Sequence, residues 1–435
     1  MKLSPFYAFG INGCIRDNLV VYSDPNGNEQ VVFPVGSNLV AYNKETRSTS
    51  FFEAQKHLLV KNSPPTSLSI AVNEMYIAVA YTATNGDGGL VVVYNTVTRK
   101  RVATMLNRSR VTSMCFSHDT KHLICACEDS LSLWLWENSK LEFSAAITGT
   151  ITRVGCSLFQ FSPSTSLFVT SGRGHNRLWF ASNRSRNSLT NTKLSQTEAN
   201  ESKYQYEDNT WLNTGKKEQD MLLAVIAIPL KKDENGTLSI PYHDDTVINI
   251  YRIADGISSS RPRVEHDQTI ALDMQKDVCL TTIAALRSSP GFAIGATAGT
   301  ILLYEYQGVA GNQKKHVKTK QVSNGSDSPV VSIFNTNMHD DRLLVYCHNR
   351  IDTLNISEFE VTNSSIQPFL VDAGHKGGIV DLDCCLEKPY VVSCGLDHTV
   401  KIWNRQLRRC LVSHKNDCDE PQTVAIHPSG HQVSP

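Results

Sequence analysis

No stretch of this sequence is apolar for long enough to cross a bilayer. The most apolar run, MLLAVIAIPL (221–230), is ten residues, about half of the ~20 that a spanning helix needs, and reads better as a buried strand. The opening MKLSPFYAFGING lacks the apolar run of a signal peptide. Charge of one sign is also missing. Lys and Arg number 42, as do Asp and Glu, so no global field recruits nucleic acid or an anionic membrane, and neither is expected as a partner. The twelve cysteines are scattered singly apart from Cys125/Cys127 and Cys384/Cys385, which is no disulfide framework. A chain of this length builds its core without one, and reduced thiols in the cytoplasm are expected. Long segments with apolar residues at helical spacing are lacking too, which leaves the strand as the building element.

Strands are what the sequence supplies. Short β-branched runs recur, among them NLVVY (18–22), LVVVY (90–94), LSLWLW (131–136), TVINIY (246–251) and TVKIW (399–403). Turn residues separate them, as in SDPNGN (23–28) and HPSG (427–430). FSHDTKHL begins at Phe116 and FSPSTSLF at Phe161, 45 residues apart; CCLEKPYVV and AIHPSGHQV begin 41 apart. Four-stranded propeller blades repeat every ~40–45 residues. The expectation is an all-β chain: a seven-bladed propeller over 1–365, then the truncated start of a second propeller over 366–435. The Ser/Asn/Thr-rich segment near 181–209 and the basic segment 308–327 are expected to project as flexible insertions. In the latter, Lys314, Lys315, Lys318 and Lys320 form a basic loop able to meet an acidic partner.

The most specific stretch is GHKGGIVDLDCCLEKPYVVSCGLDHTVKIWN (374–404). It resembles the WD-repeat family, with Asn404 where the usual Asp follows the Trp. The resemblance implies a buried hydrogen-bonded tetrad of His375, Ser393, Asp397 and Trp403. Asp397 would accept from backbone N–H groups and the imidazole, and Ser393 from the indole N–H. A Trp completing the set makes it structural rather than a catalytic triad. Other repeats are degenerate: Asp129 and Trp136 stand one residue too far apart, and SGRGHNRLWF (171–180) keeps Trp179 without an Asp.

Further segments occur in a characteristic order: FGINGCIRDNLVVY (9–22), VVFPVGSNLVAYN (31–43), WLWE (134–137), Thr210-Trp211, GFAIGATAGTILLYE (291–305) and AIHPSGH (425–431). With 388–404 they resemble the N-terminal region of the cilia- and flagella-associated protein 57 family of axonemal WD-repeat proteins. The resemblance implies a non-enzymatic protein-binding scaffold of the motile cilium or flagellum. Its partners would be axonemal components, inner dynein arms and doublet microtubules. That family carries two tandem propellers and a coiled coil, whereas this sequence has under two blades of a second propeller and no heptad region. Its short end is read as an isoform or a truncated gene model.

The alternatives are a WD-repeat adaptor outside cilia, such as a ubiquitin-ligase substrate receptor or a trafficking component, and a propeller enzyme. The enzyme would need converging carboxylates, metal ligands or a nucleophile, and no such set is visible. No catalytic residue, cofactor, metal or small-molecule substrate is expected. Gly291, Gly295 and Gly299 lack the helix and Lys of a phosphate loop. Cys410, His414 and Cys418 lack a fourth zinc ligand.

Overall fold

A computed structural model describes the chain from Ile15 to Ser434. It leaves out 55–62, 85–87, 148, 157–166, 182–188, 195–202, 214–219, 233–237, 240–245, 255–261, 273–277, 288, 308–314, 325–327, 336–341, 348–349, 357–365, 372–373, 376–377 and 416–421. Phe161 and Lys314 therefore lie outside the described residues. The regular structure of the rest is almost wholly strand, with one short 3-10 turn at Trp136–Asn138.

Alternation within short apolar runs puts one set of side chains on each face of an antiparallel strand, and consecutive runs pair in chain order. The result is a series of four-stranded meanders at 20–51 (sheet 1), 65–107 (sheet 2), 111–146 (sheet 3), 150–193 (sheet 4), 204–271 (sheet 5), 280–323 (sheet 6), 330–371 (sheet 7) and 379–415 (sheet 8). A two-stranded hairpin follows at 425–434. Sheets 4 and 5 are joined by one bridge, Arg173 to Gln205.

The sheets stack face to face, so the core is a run of clusters, each shared by two neighbours. Sheets 1 and 2 share Tyr22, Val79 and Val92, and sheets 2 and 3 share Val91, Leu123 and Trp134. The pattern continues through sheets 6 and 7. Sheet 7 then packs on sheet 1, with Leu344, Tyr346, Ile351 and Phe369 against Val21, Val31 and Tyr42. The series 1–7 closes into a ring. Among the described residues no strand is exchanged across this seam, because each sheet draws its strands from its own segment. The described contacts across it are between side chains: the Arg342–Glu29 ion pair at 2.5 Å, the edge contact of Phe369 on Tyr42, and Lys44 over the Phe369 ring.

A second device joins neighbours nearer the axis. The innermost strand of most sheets carries a β-bulge, and the bulged residue turns toward the next sheet. At Thr66, Thr112, Thr152 and Thr281 the side chain is threonine. Each hydroxyl reaches a carbonyl of its own sheet and one of the next: Thr112 lies 3.2 Å from Ala126 O and 3.2 Å from Ile151 O. Thr66, Thr152 and Thr281 repeat the arrangement. In sheet 5 the bulge holds Glu207 and Asp208 instead.

Both segments expected as insertions supply strands. Leu189–Lys193 is the outer strand of sheet 4, Tyr204–Leu212 the inner strand of sheet 5, and Lys315–Ser323 the outer strand of sheet 6. Outer strands face solvent and inner strands face the channel, so both are polar without being loops. The boundary at 365/366 also shifts. Ile366–Val371 is the outer strand of sheet 7, and its Phe369 is buried against sheet 1.

Sheet 8 packs one face on the final hairpin through Val392, Cys394, Val400, Val424 and Ile426. The opposite face exposes Leu382 by 59%. No described sheet covers it, in contrast to the paired faces of sheets 1–7.

Candidate functional site

The sequence-predicted tetrad assembles within sheet 8. His375 precedes the innermost strand and is 1% exposed in its side chain. Its Nδ1 lies 2.9 Å from Asp397 Oδ1 and its Nε2 2.7 Å from Ser393 Oγ, which accepts Trp403 Nε1–H at 2.8 Å. Asp397 Oδ1 also accepts Thr399 N–H at 3.2 Å and the Thr399 hydroxyl at 2.8 Å, fixing a turn in which His398 takes φ +56°. One consistent proton order satisfies the chain: Nδ1–H donates to the carboxylate, and Nε2 accepts from the Ser393 hydroxyl. The imidazole, hydroxyl and indole are engaged with one another and, through Asp397 Oδ1, with the turn.

Two degenerate repeats keep part of this network in a form the sequence reading did not give. In sheet 4, Trp179 Nε1 donates to Thr170 Oγ1 at 2.8 Å, and Thr170 Oγ1 lies 2.7 Å from His175 Nε2. The signal was the dipeptide Gly174-His175, displaced from before the first strand into the turn between the second and third. In sheet 3 the Trp is Trp134 rather than Trp136: it pairs with Leu123 as Trp403 pairs with Val391. Its Nε1 donates to Asn107 Oδ1 at 3.1 Å, and Asn107 stands four residues before the innermost strand, as His375 does in sheet 8. Trp136 donates instead to Thr120 O and packs on Tyr76 and Phe116.

Asp397→Ala removes the acceptor for His375, Thr399 N–H and the Thr399 hydroxyl. Loss of a charge-assisted acceptor costs about 1.5–3 kcal/mol. The expected result is faster amide exchange over 379–415 with sheets 1–7 unchanged, because stacked units loosen one by one; hydrogen-exchange mass spectrometry reads it directly.

The charges that line the channel of the ring were not foreseen. Paired charges line its wall, the Asp208 and Asp17 carboxylates buried and the Arg153 side chain 23% exposed. Asp208, 0% exposed, accepts Arg153 Nε–H at 3.1 Å, the Thr282 hydroxyl at 2.9 Å and Ile283 N–H at 2.9 Å. Arg153 also pairs with Asp17. Burial lowers the pKa of the Arg153 guanidinium, and Asp208 opposes that shift. Beside them, Trp211, Ile283, Ile333, Phe334 and Asn335 line a cavity of about 250 Å³.

Of the four lysines expected in a loop, Lys315, Lys318 and Lys320 fall on a strand. Lys315 opens the outer strand of sheet 6, with Lys318 exposed and Lys320 half-buried along it. The strand is anchored by His316, whose ring packs on Phe292 and Tyr306 and whose Nε2–H donates to Pro290 O at 2.8 Å. Burial pushes the His316 pKa down. Cys410 and His414 lie on the outer strand of sheet 8; Cys418 is outside the described residues. Gly295 sits where an added Cβ would strike Val330 and Thr282, and Gly299 takes φ +66° in a turn. Close packing and turn geometry account for these two glycines.

Stacked four-stranded meanders define a β-propeller, and the His–Ser–Asp–Trp relay of sheet 8 resembles that of WD-repeat proteins. The family model for the WD domain, G-beta repeat, matches residues 99–134 and 367–404. Within that class the chain resembles cilia- and flagella-associated protein 57. It is 22% identical to the mouse protein over 98% of this chain, and spans 35% of that protein's length. It is 29% identical to cilia- and flagella-associated protein 57 A of Tetrahymena thermophila over 33% of this chain and 11% of the relative. Among solved structures, the β-propeller domain of Cps50 (Swd1) from Myceliophteria thermophila aligns with TM-score 0.50 and 11% identity, covering 76% of this chain and 93% of that one. Hydrazine synthase of Kuenenia stuttgartiensis aligns with TM-score 0.52 and 9% identity, covering 80% and 97%. At such identities these structures show the fold alone.

Proposed function

We propose that the chain is a non-enzymatic protein-binding scaffold of the motile cilium or flagellum, held on axonemal doublet microtubules where it helps position inner dynein arms. Sheets 1–7 act as one rigid ring, and sheet 8 with the final hairpin as part of a second unit. The observation that carries this reading is the extent of the likeness to the mouse protein, which runs over 98% of this chain rather than over the repeats alone. A tetrad engaged in holding a turn agrees with a scaffold role. The outer strand of sheet 6, with Lys315, Lys318 and Lys320, supplies the electrostatic contact to acidic protein surfaces.

Cosedimentation with purified doublets tests it. The chain should pellet at low ionic strength and release as salt rises, since the screening length falls from about 8 Å at 0.15 M to about 3 Å at 1 M. The double change Lys318→Ala/Lys320→Ala should weaken pelleting several-fold at low salt. Absence of pelleting at every salt concentration rules out the doublet contact. Pelleting indifferent to both salt and the lysines moves the contact elsewhere on the ring.

A further inference from the structure

The segment that leads into sheet 1 does not run along the outside of the ring. Residues 15–17 cross the inner strands of four other sheets. Asp17 O accepts Leu68 N–H of sheet 2 at 2.5 Å. Asp17 Oδ2 accepts the Ser113 hydroxyl of sheet 3 at 3.0 Å, and Oδ1 pairs with Arg153 of sheet 4. Arg16 reaches sheet 5, where Nη1–H donates to Glu207 O at 2.8 Å and Nη2 pairs with Glu207 Oε1 at 2.5 Å. Each residue of this Arg-Asp pair meets a side chain of opposite charge.

These contacts differ in kind from those that build the sheets. They include no strand pairing: one backbone bond and several side-chain bonds read two residues in an extended segment, as a groove reads a bound peptide. Without the segment, Leu68 N–H and the Ser113 hydroxyl would lose the acceptors that Asp17 gives them and turn to the channel, while the charged groups of the wall keep partners of their own. Arg153 keeps Asp208, the Ser113 hydroxyl keeps Val154 N–H as donor at 3.2 Å, and Glu207 keeps the Gln205 amide at 2.7 Å. The anchor lies just beyond, since Asn18 and Leu19 are 0% and 1% exposed. Residues 15–17 can therefore leave without unfolding sheet 1. The cavity begins where Asp17 stops: Arg153 belongs to both, and Trp211 and Phe334 continue the wall.

We infer that the Leu68–Ser113–Arg153 corner of the channel is a receptor for an acidic residue of an extended peptide, filled in this chain by its own Asp17 and open to a partner's aspartate or glutamate when residues 15–17 are displaced. The ligand is a peptide with an acidic residue against Arg153 and an apolar neighbour in the cavity. This site is independent of the basic strand of sheet 6, so its failure leaves the ciliary reading untouched.

The test uses the full chain and a fluorescein-labelled pentapeptide, Ile-Arg-Asp-Asn-Leu, copied from residues 15–19. A tethered segment acts at an effective concentration on the order of millimolar, so the unaltered chain should bind the peptide weakly in an anisotropy titration. Asp17→Ala should bind it at least tenfold more tightly. The peptide Ile-Arg-Ala-Asn-Leu should lose at least tenfold on the same variant. Asp17→Asn, which preserves shape and removes the charge, serves if the alanine variant does not fold by circular dichroism. Equal affinity for the unaltered chain and the variant, equal affinity for the two peptides, or no binding at all overturns the inference.

Discussion

Asp208→Ala should destabilise the ring more than any other single change on the channel wall. The carboxylate is fully buried and accepts from Arg153, the Thr282 hydroxyl and Ile283 N–H. Removing one partner of a buried ion pair costs about 3–5 kcal/mol, because the other charge is left desolvated. Arg153 keeps Asp17, so the low end of that range applies. Thr282→Val removes a single bond to the same carboxylate and should cost about 1 kcal/mol. Denaturant midpoints of the two variants, compared with the unaltered chain, give the ordering. A smaller loss for Asp208→Ala than for Thr282→Val would mean that the charges are hydrated and contribute little.

Phe369→Ala should open the ring at its seam. The side chain is 6% exposed, meets Tyr42 edge-on at 6.3 Å, and carries Lys44 Nζ 4.8 Å from its ring centre. Truncating a buried Phe costs about 3–5 kcal/mol. At four other junctions, bulge threonines back up the apolar clusters. At the seam the corresponding bulge residue is Val331, which has no hydroxyl. Amide exchange should therefore rise in sheets 1 and 7 together, while sheets 3 and 4 stay protected. A rise confined to sheet 7 would show that the seam does not hold the ring.

The parts of this fold that could be read from sequence are those written locally. His375, Ser393, Asp397 and Trp403 lie within 29 residues at repeat spacing, and the structure brings them together. Strand alternation gave the all-β class. What failed was the use of polarity as a mark of loops. Asp208 and Asn209 are polar because the channel surrounds them, and Lys318 because the outer strand faces water. The threonine bulges were written in the sequence as PTSL, VTSM, ITRV and LTTI. Their meaning depends on a carbonyl of the next sheet, however, which no local pattern supplies. The Arg16–Glu207 contact joins residues 191 apart; nothing near either residue announces the other.

Expression of the tagged chain in ciliated cells, followed by detergent extraction of isolated cilia, tests the proposed function most directly. The scaffold reading predicts that the chain stays with the axonemal pellet and that release requires high salt. Complete recovery in the detergent-soluble fraction, or absence from cilia altogether, would contradict it.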